Sequence, residues 1–444
     1  SVHTYFFEAS DGESAARLPE TGTLSFESGY SNVAFVPGLG GSRLYRPDTF
    51  DGEDRLWEPN GLNDIGQLTF SSATRASALA DIYSRHIVDQ TILRVDNWPG
   101  TNTYKGFIEF MDDEIAGSGG LITEWKAFSY DWRAALGDLL ERGTIIGTNG
   151  GKENVSYFQP TSTPYLLEEL RRLAQTSATG KVTLITHSNG GLLAKHLLKT
   201  LEDPAHLYQD VLEKIDKLIL VASPQVGTPE AIAALLHGTT KVAKGTAREF
   251  AESIPATYHL LPSEAYFTSV ETPVIEFSDE IINVAELADL AGSSISGANA
   301  LRDFMTGRGG RWQDPGSDDI DTPNVVDTFF LDYAESVHAA LDAWVSPEHI
   351  ESIQIAGWGV DTVRGISYDN CDIPFCADTL EHLDRELKET VDGDGTVVIP
   401  SALWMATSTP DVERWWVDLD KYNDQNLINR GHANILEVRE LQNF

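Results

Sequence analysis

Lys181-Val182-Thr183-Leu184-Ile185-Thr186-His187-Ser188-Asn189-Gly190-Gly191-Leu192-Leu193-Ala194-Lys195-His196-Leu197-Leu198 is the stretch on which the reading of the fold turns. Val182–Ile185 is a short apolar run of the kind that forms a buried strand, and Leu192–Leu198 has the pattern of a helix, so Thr186–Gly191 is expected to be a tight turn between them. A serine hydroxyl is a poor nucleophile until it is lifted clear of the backbone beside a base, which a sharp strand-to-helix turn with small neighbours achieves. Gly190 and Gly191 leave room for the helix to pack close behind Ser188. The Asn189 N–H, at the helix N-terminus, would then face an oxyanion formed at Ser188. The usual form of such an elbow is G-x-S-x-G, and Thr186 stands where its first glycine would be. The same hexapeptide also suits a plain glycine-punctuated turn, so the surrounding chain has to decide.

Upstream, Asn32-Val33-Ala34-Phe35-Val36 is another compact apolar strand, ending in Pro37-Gly38-Leu39-Gly40-Gly41-Ser42. This loop lacks the G-K-[ST] ending of a phosphate-binding loop and the G-x-G-x-x-G spacing of a dinucleotide site. It is either an ordinary turn or the second half of an oxyanion hole, with the Leu39 N–H aimed at the same spot as that of Asn189. Tyr104–Ile115 predicts an amphipathic helix, Trp125–Tyr130 a strand running into Asp131-Trp132-Arg133, and Tyr165–Leu173 a helix leading to the serine strand. Lys217–Ala222 and Glu351–Trp358 predict further strands. Strands alternating with helices predict an α/β fold, a mostly parallel sheet with helices on both faces. Residues 1–32, 43–103 and 143–163 read as polar, turn-rich or irregular, and Thr379–Thr390 as a polar helix or loop. From Pro224 to about Pro347 the pattern is mostly helical. For 444 residues the expectation is one large domain, 1–444, carrying 43–103 and 224–347 as cap or lid insertions.

Thirty-two basic and sixty-eight acidic residues leave a formal charge of −36. That field repels nucleic acid and anionic membranes, so nucleic acid is not an expected partner, and any lipid surface the chain contacts is expected to be neutral. The acid is spread along the chain, as on a solvated acidic surface, for which a salty or extracellular habitat is one reason. No apolar run reaches the roughly 18 residues of a membrane span, so the chain as given is expected to be soluble. It begins at Ser1, compatible with a removed leader and a secreted or extracytoplasmic location, which the sequence leaves open. Cys371 and Cys376 are the only cysteines, spaced for one small-loop disulfide or two free thiols; adding His382 does not complete a zinc ligand set. Asp392-Gly393-Asp394 alternates acid with glycine as calcium loops do, but Leu403 stands where an EF-hand needs an acid. No metal and no cofactor are expected.

On a fold that presents a serine in this way, acid and base follow it in the order Ser, Asp or Glu, His. Of the eleven histidines only His432 lies after Asp394, in Arg430-Gly431-His432-Ala433-Asn434, which predicts a loop before the last helix. The alternative is a surface histidine near the C-terminus. His187 adjoins Ser188 but should point away from it in the elbow, and it reads as a packing or hydrogen-bonding residue.

Taken in order, Val36–Ser42, Tyr130–Arg133, His187–Gly191, Ala256–Ser263, Asp392–Val397 and His432 resemble the motifs of the lecithin:cholesterol acyltransferase family, which includes lysosomal phospholipase A2 and the phospholipid:diacylglycerol acyltransferases. The resemblance spans about residues 33–436, with 43–103 and 264–348 matching poorly. It implies an α/β-hydrolase fold with cap and lid, no metal, and acyl transfer from lipid esters through a serine acyl-enzyme. Carried over, Ser188 resembles the nucleophile, Asp394 the acid, His432 the base, and the N–H groups of Leu39 and Asn189 the oxyanion hole. The family's acid directly precedes the Gly-Thr-Val step, which corresponds to Asp394 and leaves Asp392 as a turn residue bonding its own backbone. The expected activity is that of a serine esterase of lipase or phospholipase type, passing the acyl group to water or to an alcohol. An esterase or amidase acting on a non-lipid acyl substrate stays open in view of the acidic surface. So does an inactive hydrolase fold used for binding, which the ordered serine, acid and base candidates disfavour.

Overall fold

The apolar runs on either side of Ser188 pair into a six-stranded, wholly parallel sheet. In chain order its strands are β1 (Asn32–Val36), β2 (Trp125–Ala127), β3 (Val182–His187), β4 (Ile215–Val221), β5 (Glu351–Trp358) and β6 (Glu413–Asp418), and across the sheet they lie in the order 2-1-3-4-5-6. The computed structural model describes residues 2–442 except 11–14, 20, 22–23, 28, 49–51, 62–63, 71–80, 92–101, 117–121, 239–243, 279–293, 308–314, 317–318, 371–382 and 410.

Both faces of the sheet are covered, which is why its central strands are apolar on alternate and intervening positions alike. Val33 and Phe35 of β1 pack with Tyr104, Phe107 and Met111, the last two on helix α1 (Lys105–Ala116), together with Leu419, Tyr422 and Ile435 near the C-terminus. Ala34 and Val36 face the other way, into the larger core with Leu166 and Leu170 of α2 (Tyr165–Thr176) and Leu192, Leu193 and Leu197 of α3 (Asn189–Leu201). The period of two in β1 thus divides its side chains between two cores. A parallel sheet between helical layers is what the alternation of strands and helices predicts, and it agrees with the α/β-hydrolase fold that the resemblance implies.

The strand order reverses between β1 and β3: from β1 the chain steps outward to β2 on one side, and from β3 it proceeds through β4, β5 and β6 on the other. At such a reversal the loops leaving the carboxyl ends of the two strands diverge to opposite faces and open a crevice. The Pro37–Gly41 loop leaves β1 there, and Ser188 leaves β3.

Several expectations need correction. Residues 43–103 and 143–163 are not simply irregular: Ser42–Asp48, Gly52–Trp57 and Tyr83–Ile87 join the hairpin Arg142–Asn149/Lys152–Pro160 in a five-stranded antiparallel sheet. Arg142–Asn149 is almost wholly exposed, so it carries no alternation from which a strand can be read. Residues 1–32 contain two antiparallel pairs, Val2–Tyr5 with Leu24–Glu27 and Phe7–Ser10 with Ala15–Leu18. The charged run Leu383–Thr390 is an edge strand paired to Thr362–Asn370, where backbone pairing overrides a weak side-chain preference and its charges protect the edge. The 224–347 region holds the helices Pro229–His237, Lys244–Ser253, Pro255–His259, Glu264–Ser269, Ala298–Met305 and Thr328–Leu341, with the short strands Ile275–Phe277 and Ser294–Ile295 between them. Cys371, Cys376 and His382 lie outside the described residues. Among the described residues no helix is long and apolar enough to cross a membrane, and no group of three or more His, Cys, Asp or Glu side chains is arranged to hold a metal ion.

Candidate active site

Ser188 stands between β3 and α3 with φ 53° and ψ −130°, a conformation that a non-glycine residue adopts only under constraint. There is no separate turn: α3 starts at Asn189, the next residue. The constraint comes from both sides. The Ser188 N–H donates to the Val221 carbonyl at the end of β4 (3.0 Å), and its own carbonyl accepts the Gly191 N–H (2.9 Å). Side chains at 190 and 191 would forbid this approach. A Cβ at Gly190 would lie 2.3 Å from the Val36 carbonyl oxygen and 2.6 Å from that of Pro37, and one at Gly191 would lie 2.1 Å from Ser223 Oγ. Because the obstacle at Gly190 is backbone, Gly190→Ala is expected to destabilise the protein by about 1–3 kcal/mol, measured as a lower denaturant midpoint at constant slope. An unchanged midpoint would mean that α3 can retreat from β1 without loss.

The structure brings His432 and Asp394 to this serine. His432 Nε2 lies 2.8 Å from Ser188 Oγ, and its Nδ1 lies 2.9 Å from Asp394 Oδ2. Asp394 is 1% exposed, and its other oxygen, Oδ1, accepts the N–H groups of Thr396 (3.1 Å) and Val397 (2.9 Å). Acceptor demand at Oδ2 puts the imidazole proton on Nδ1 and leaves the Nε2 lone pair facing the serine hydroxyl. Gly357 of β5 makes room for this loop, since a Cβ there would sit 2.9 Å from Asp394 Cβ. His432 opens a short 3-10 segment, His432–Glu437, rather than lying in a plain loop. Its approach is fixed by Asn423, whose side chain takes the Arg430 N–H (2.7 Å) and gives a bond to the Arg430 carbonyl (2.8 Å). Asp392 is exposed and does not bond its own backbone; its N–H donates to Thr390 Oγ1 (3.2 Å), and its carboxylate takes the same hydroxyl weakly (3.4 Å).

The loop after β1 is pinned along its length. Tyr130 Oη donates to the Pro37 carbonyl (2.7 Å), the Gly41 N–H to that of Gly38 (2.9 Å), Trp57 Nε1 to that of Gly40 (2.6 Å) and Trp132 Nε1 to that of Ser42 (3.0 Å). Asp131 and Arg133 form a buried, two-pronged ion pair (Nε–Oδ1 2.8 Å, Nη2–Oδ2 2.6 Å), and the guanidinium also donates to the Leu68 carbonyl (3.1 Å). Within Tyr130-Asp131-Trp132-Arg133 it is therefore Tyr130 and Trp132 that hold this loop in place, a role their sequence alone did not disclose, while the Asp131–Arg133 pair ties the segment to Leu68. Gly38 lies flush against the serine: a Cβ on it would be 2.7 Å from Ser188 Cβ. Leu39 is 36% exposed, and its N–H finds no acceptor among the described residues. The Asn189 N–H is in the first turn of α3, where backbone donors have no partner within the helix. His187, read as a packing or hydrogen-bonding residue, is buried and bonds Tyr104 Oη (2.8 Å) and the His432 carbonyl (2.9 Å). Tyr104 and Trp57 carry no local motif that marks them as part of the site.

The lecithin:cholesterol acyltransferase family model matches residues 120–299. Tyr130–Arg133 and Ser188 fall inside that span, whereas Leu39, Asp394 and His432 fall outside it and meet Ser188 through the fold. A curated relative, "Lecithin-cholesterol acyltransferase-like 4" of Arabidopsis thaliana, is 25% identical over 253 residues, covering 53% of this chain and 45% of the relative. The chain thus spans about half the length of the curated relative it matches. Among solved structures it is similar to a chain from "The crystal structure of Tle4-Tli4 complex", with a TM-score of 0.51 and 13% identity over 94% of this chain and 97% of that one. At that identity the likeness speaks to the fold alone.

Proposed function

Starting from a chain that is lecithin:cholesterol acyltransferase-like, we propose that it is a lipid acyl-ester hydrolase or acyltransferase working through an acyl-enzyme on Ser188. Ser188 Oγ attacks the ester carbonyl carbon while His432 Nε2 takes its proton, and the Asp394 carboxylate stabilises the imidazolium. The carbonyl oxygen becomes an oxyanion that accepts hydrogen bonds from the N–H groups of Leu39 and Asn189. Collapse breaks the ester C–O bond, His432 returns the proton to the departing alcohol, and the acyl group stays on Ser188. In the second half, water or an alcohol gives its proton to His432 and attacks the acyl-serine, so hydrolysis and transfer differ only in the acceptor.

The observation that carries this reading is the unbroken chain Ser188 Oγ, His432 Nε2 (2.8 Å), His432 Nδ1, Asp394 Oδ2 (2.9 Å) at the point where the sheet order reverses. The lipid class rests on the family resemblance. A fluorophosphonate probe is expected to modify Ser188 in the native protein; peptide mapping that finds no adduct there would remove the acyl-enzyme. The formal charge of −36 favours one other reading, a non-lipid acyl ester or amide as substrate. Equal rates across acyl lengths, with and without neutral lipid vesicles, would favour it.

A further inference from the structure

We propose that Tyr104 and His187 are positioning residues that tie the backbone of the base to the loop carrying the oxyanion donor, so that both halves of the site are held in register with Ser188. This rests on the acyl-enzyme reading. Four groups form one relay: the Gly38 N–H donates to Tyr104 Oη (3.2 Å), Tyr104 Oη–H donates to His187 Nδ1 (2.8 Å), and His187 Nε2–H donates to the His432 carbonyl (2.9 Å). The ends dictate the directions. An amide N–H only donates and a carbonyl only accepts, so the tyrosine hydrogen must go to Nδ1 and the imidazole hydrogen must sit on Nε2.

Such a relay needs a neutral imidazole, because a cationic one has no acceptor left for the tyrosine. Burial, and after it the neighbouring His432, push the His187 pKa down to about 3. The His187 and His432 rings are 4.9 Å apart, so a charge on His187 would oppose the imidazolium that His432 must form. A neutral crosspiece avoids that conflict.

What the relay joins is specific. At one end is Gly38, the residue before the Leu39 N–H. At the other is the carbonyl of His432, whose N–H is itself bonded to the Asp394 carbonyl (2.6 Å), so the base is held by its backbone on both sides. In the middle is His187, the last residue of β3, registered against Val221 of β4 and followed directly by the serine. Tyr104 is wedged edge-on between Phe35 of β1 and His187, with ring centroids 5.1 and 5.6 Å away. Packing alone would hold this tyrosine ring, but only its hydroxyl both accepts the Gly38 N–H and donates to His187 Nδ1. Without it the buried His187 Nδ1 and the Gly38 N–H both lose this partner, and the link between the base and the loop is broken at its middle although the His432 carbonyl still keeps the imidazole hydrogen on Nε2.

The test combines His187→Phe, His187→Gln and Tyr104→Phe with steady-state kinetics on a short acyl nitrophenyl ester, fluorophosphonate labelling rates and thermal melts. His187→Phe is expected to lower kcat by about 10–100-fold, since displacements of about 1 Å cost that much, with KM within about 2-fold because ground-state ester binding does not use the relay. Tyr104→Phe should shift kcat in the same direction by a smaller factor, labelling of Ser188 should slow in parallel, and the double variant should be no slower than His187→Phe, as for one connected unit. His187→Gln, which retains a donor and an acceptor, should recover part of the loss. Unchanged kcat and labelling in folded His187→Phe and Tyr104→Phe, or losses confined to the melting temperature or KM, would overturn the relay while leaving the acyl-enzyme intact. Should His187→Phe not fold, Tyr104→Phe decides by the same criteria. A native protein that takes no label at Ser188 would overturn the acyl-enzyme, and the relay with it.

Discussion

Ser188→Ala is expected to lower hydrolysis of short acyl nitrophenyl esters by on the order of 10⁵–10⁶-fold while the protein stays folded. The size follows from what is removed: with no Oγ there is no acyl-enzyme, and only substrate binding and the oxyanion donors remain to assist direct attack by water. Stability should change by no more than about 1 kcal/mol. Alanine has the same Cβ at φ 53° and so neither adds nor relieves strain, and the substitution deletes one hydrogen bond, to His432 Nε2. The paired measurement is kcat/KM with a thermal melt. Turnover close to that of the native protein in a folded variant would take the chemistry away from this serine.

Asp394→Asn should cost about 10⁴-fold in kcat, and the hydrogen-bond pattern explains why so conservative a change is so damaging. Oδ1 accepts two backbone N–H groups, from Thr396 and Val397, so an asparagine must keep its amide oxygen on that side and turn its NH2 towards His432 Nδ1. A donor facing Nδ1 drives the imidazole proton to Nε2, where it points at Ser188 Oγ and cannot accept the serine proton. Asp392→Asn serves as the control. That carboxylate is exposed and, among the described residues, makes just the long contact with Thr390 Oγ1, so rate should hold and stability should move by no more than about 0.5 kcal/mol. A rate loss confined to Asp392→Asn would reverse the roles, and no loss in either variant would place the acid elsewhere.

The features legible in the sequence are those in which local pattern and tertiary environment agree. β1, β3 and β4 are apolar because both faces of the sheet are covered, and their shortness, β-branched content and flanking Gly or Pro turns mark them as strands. The strand-serine-helix junction could be read for the same reason, as could the glycines behind it, where a Cβ would meet the Val36 backbone at Gly190 and the Ser223 side chain at Gly191. His432 was singled out by chain order. Leu383–Thr390 and Arg142–Asn149 escaped because an exposed or edge strand is defined by its partner's backbone rather than by its own side chains. The 43–103 region escaped because its strands close a sheet with a hairpin from another part of the chain, and no local window contains that pairing.

By itself, then, the order of residues determined the parallel α/β scaffold, the strained position of Ser188 and the identities of the groups that could serve it. The resemblance pointed to Asp394 over Asp392, but the order of residues could not determine that the Asp394 carboxylate meets His432, that Tyr130 and Trp132 clamp the loop after β1, or that His187 faces the backbone of His432. Those depend on distances between segments as far apart as Ser188 and His432, separated by 244 positions in the chain. Hydrogen bonds near 3 Å between such segments are set by how sheet and helices pack, because a rotation of a single loop residue exchanges one carboxylate for its neighbour without altering the hydrophobic pattern at all.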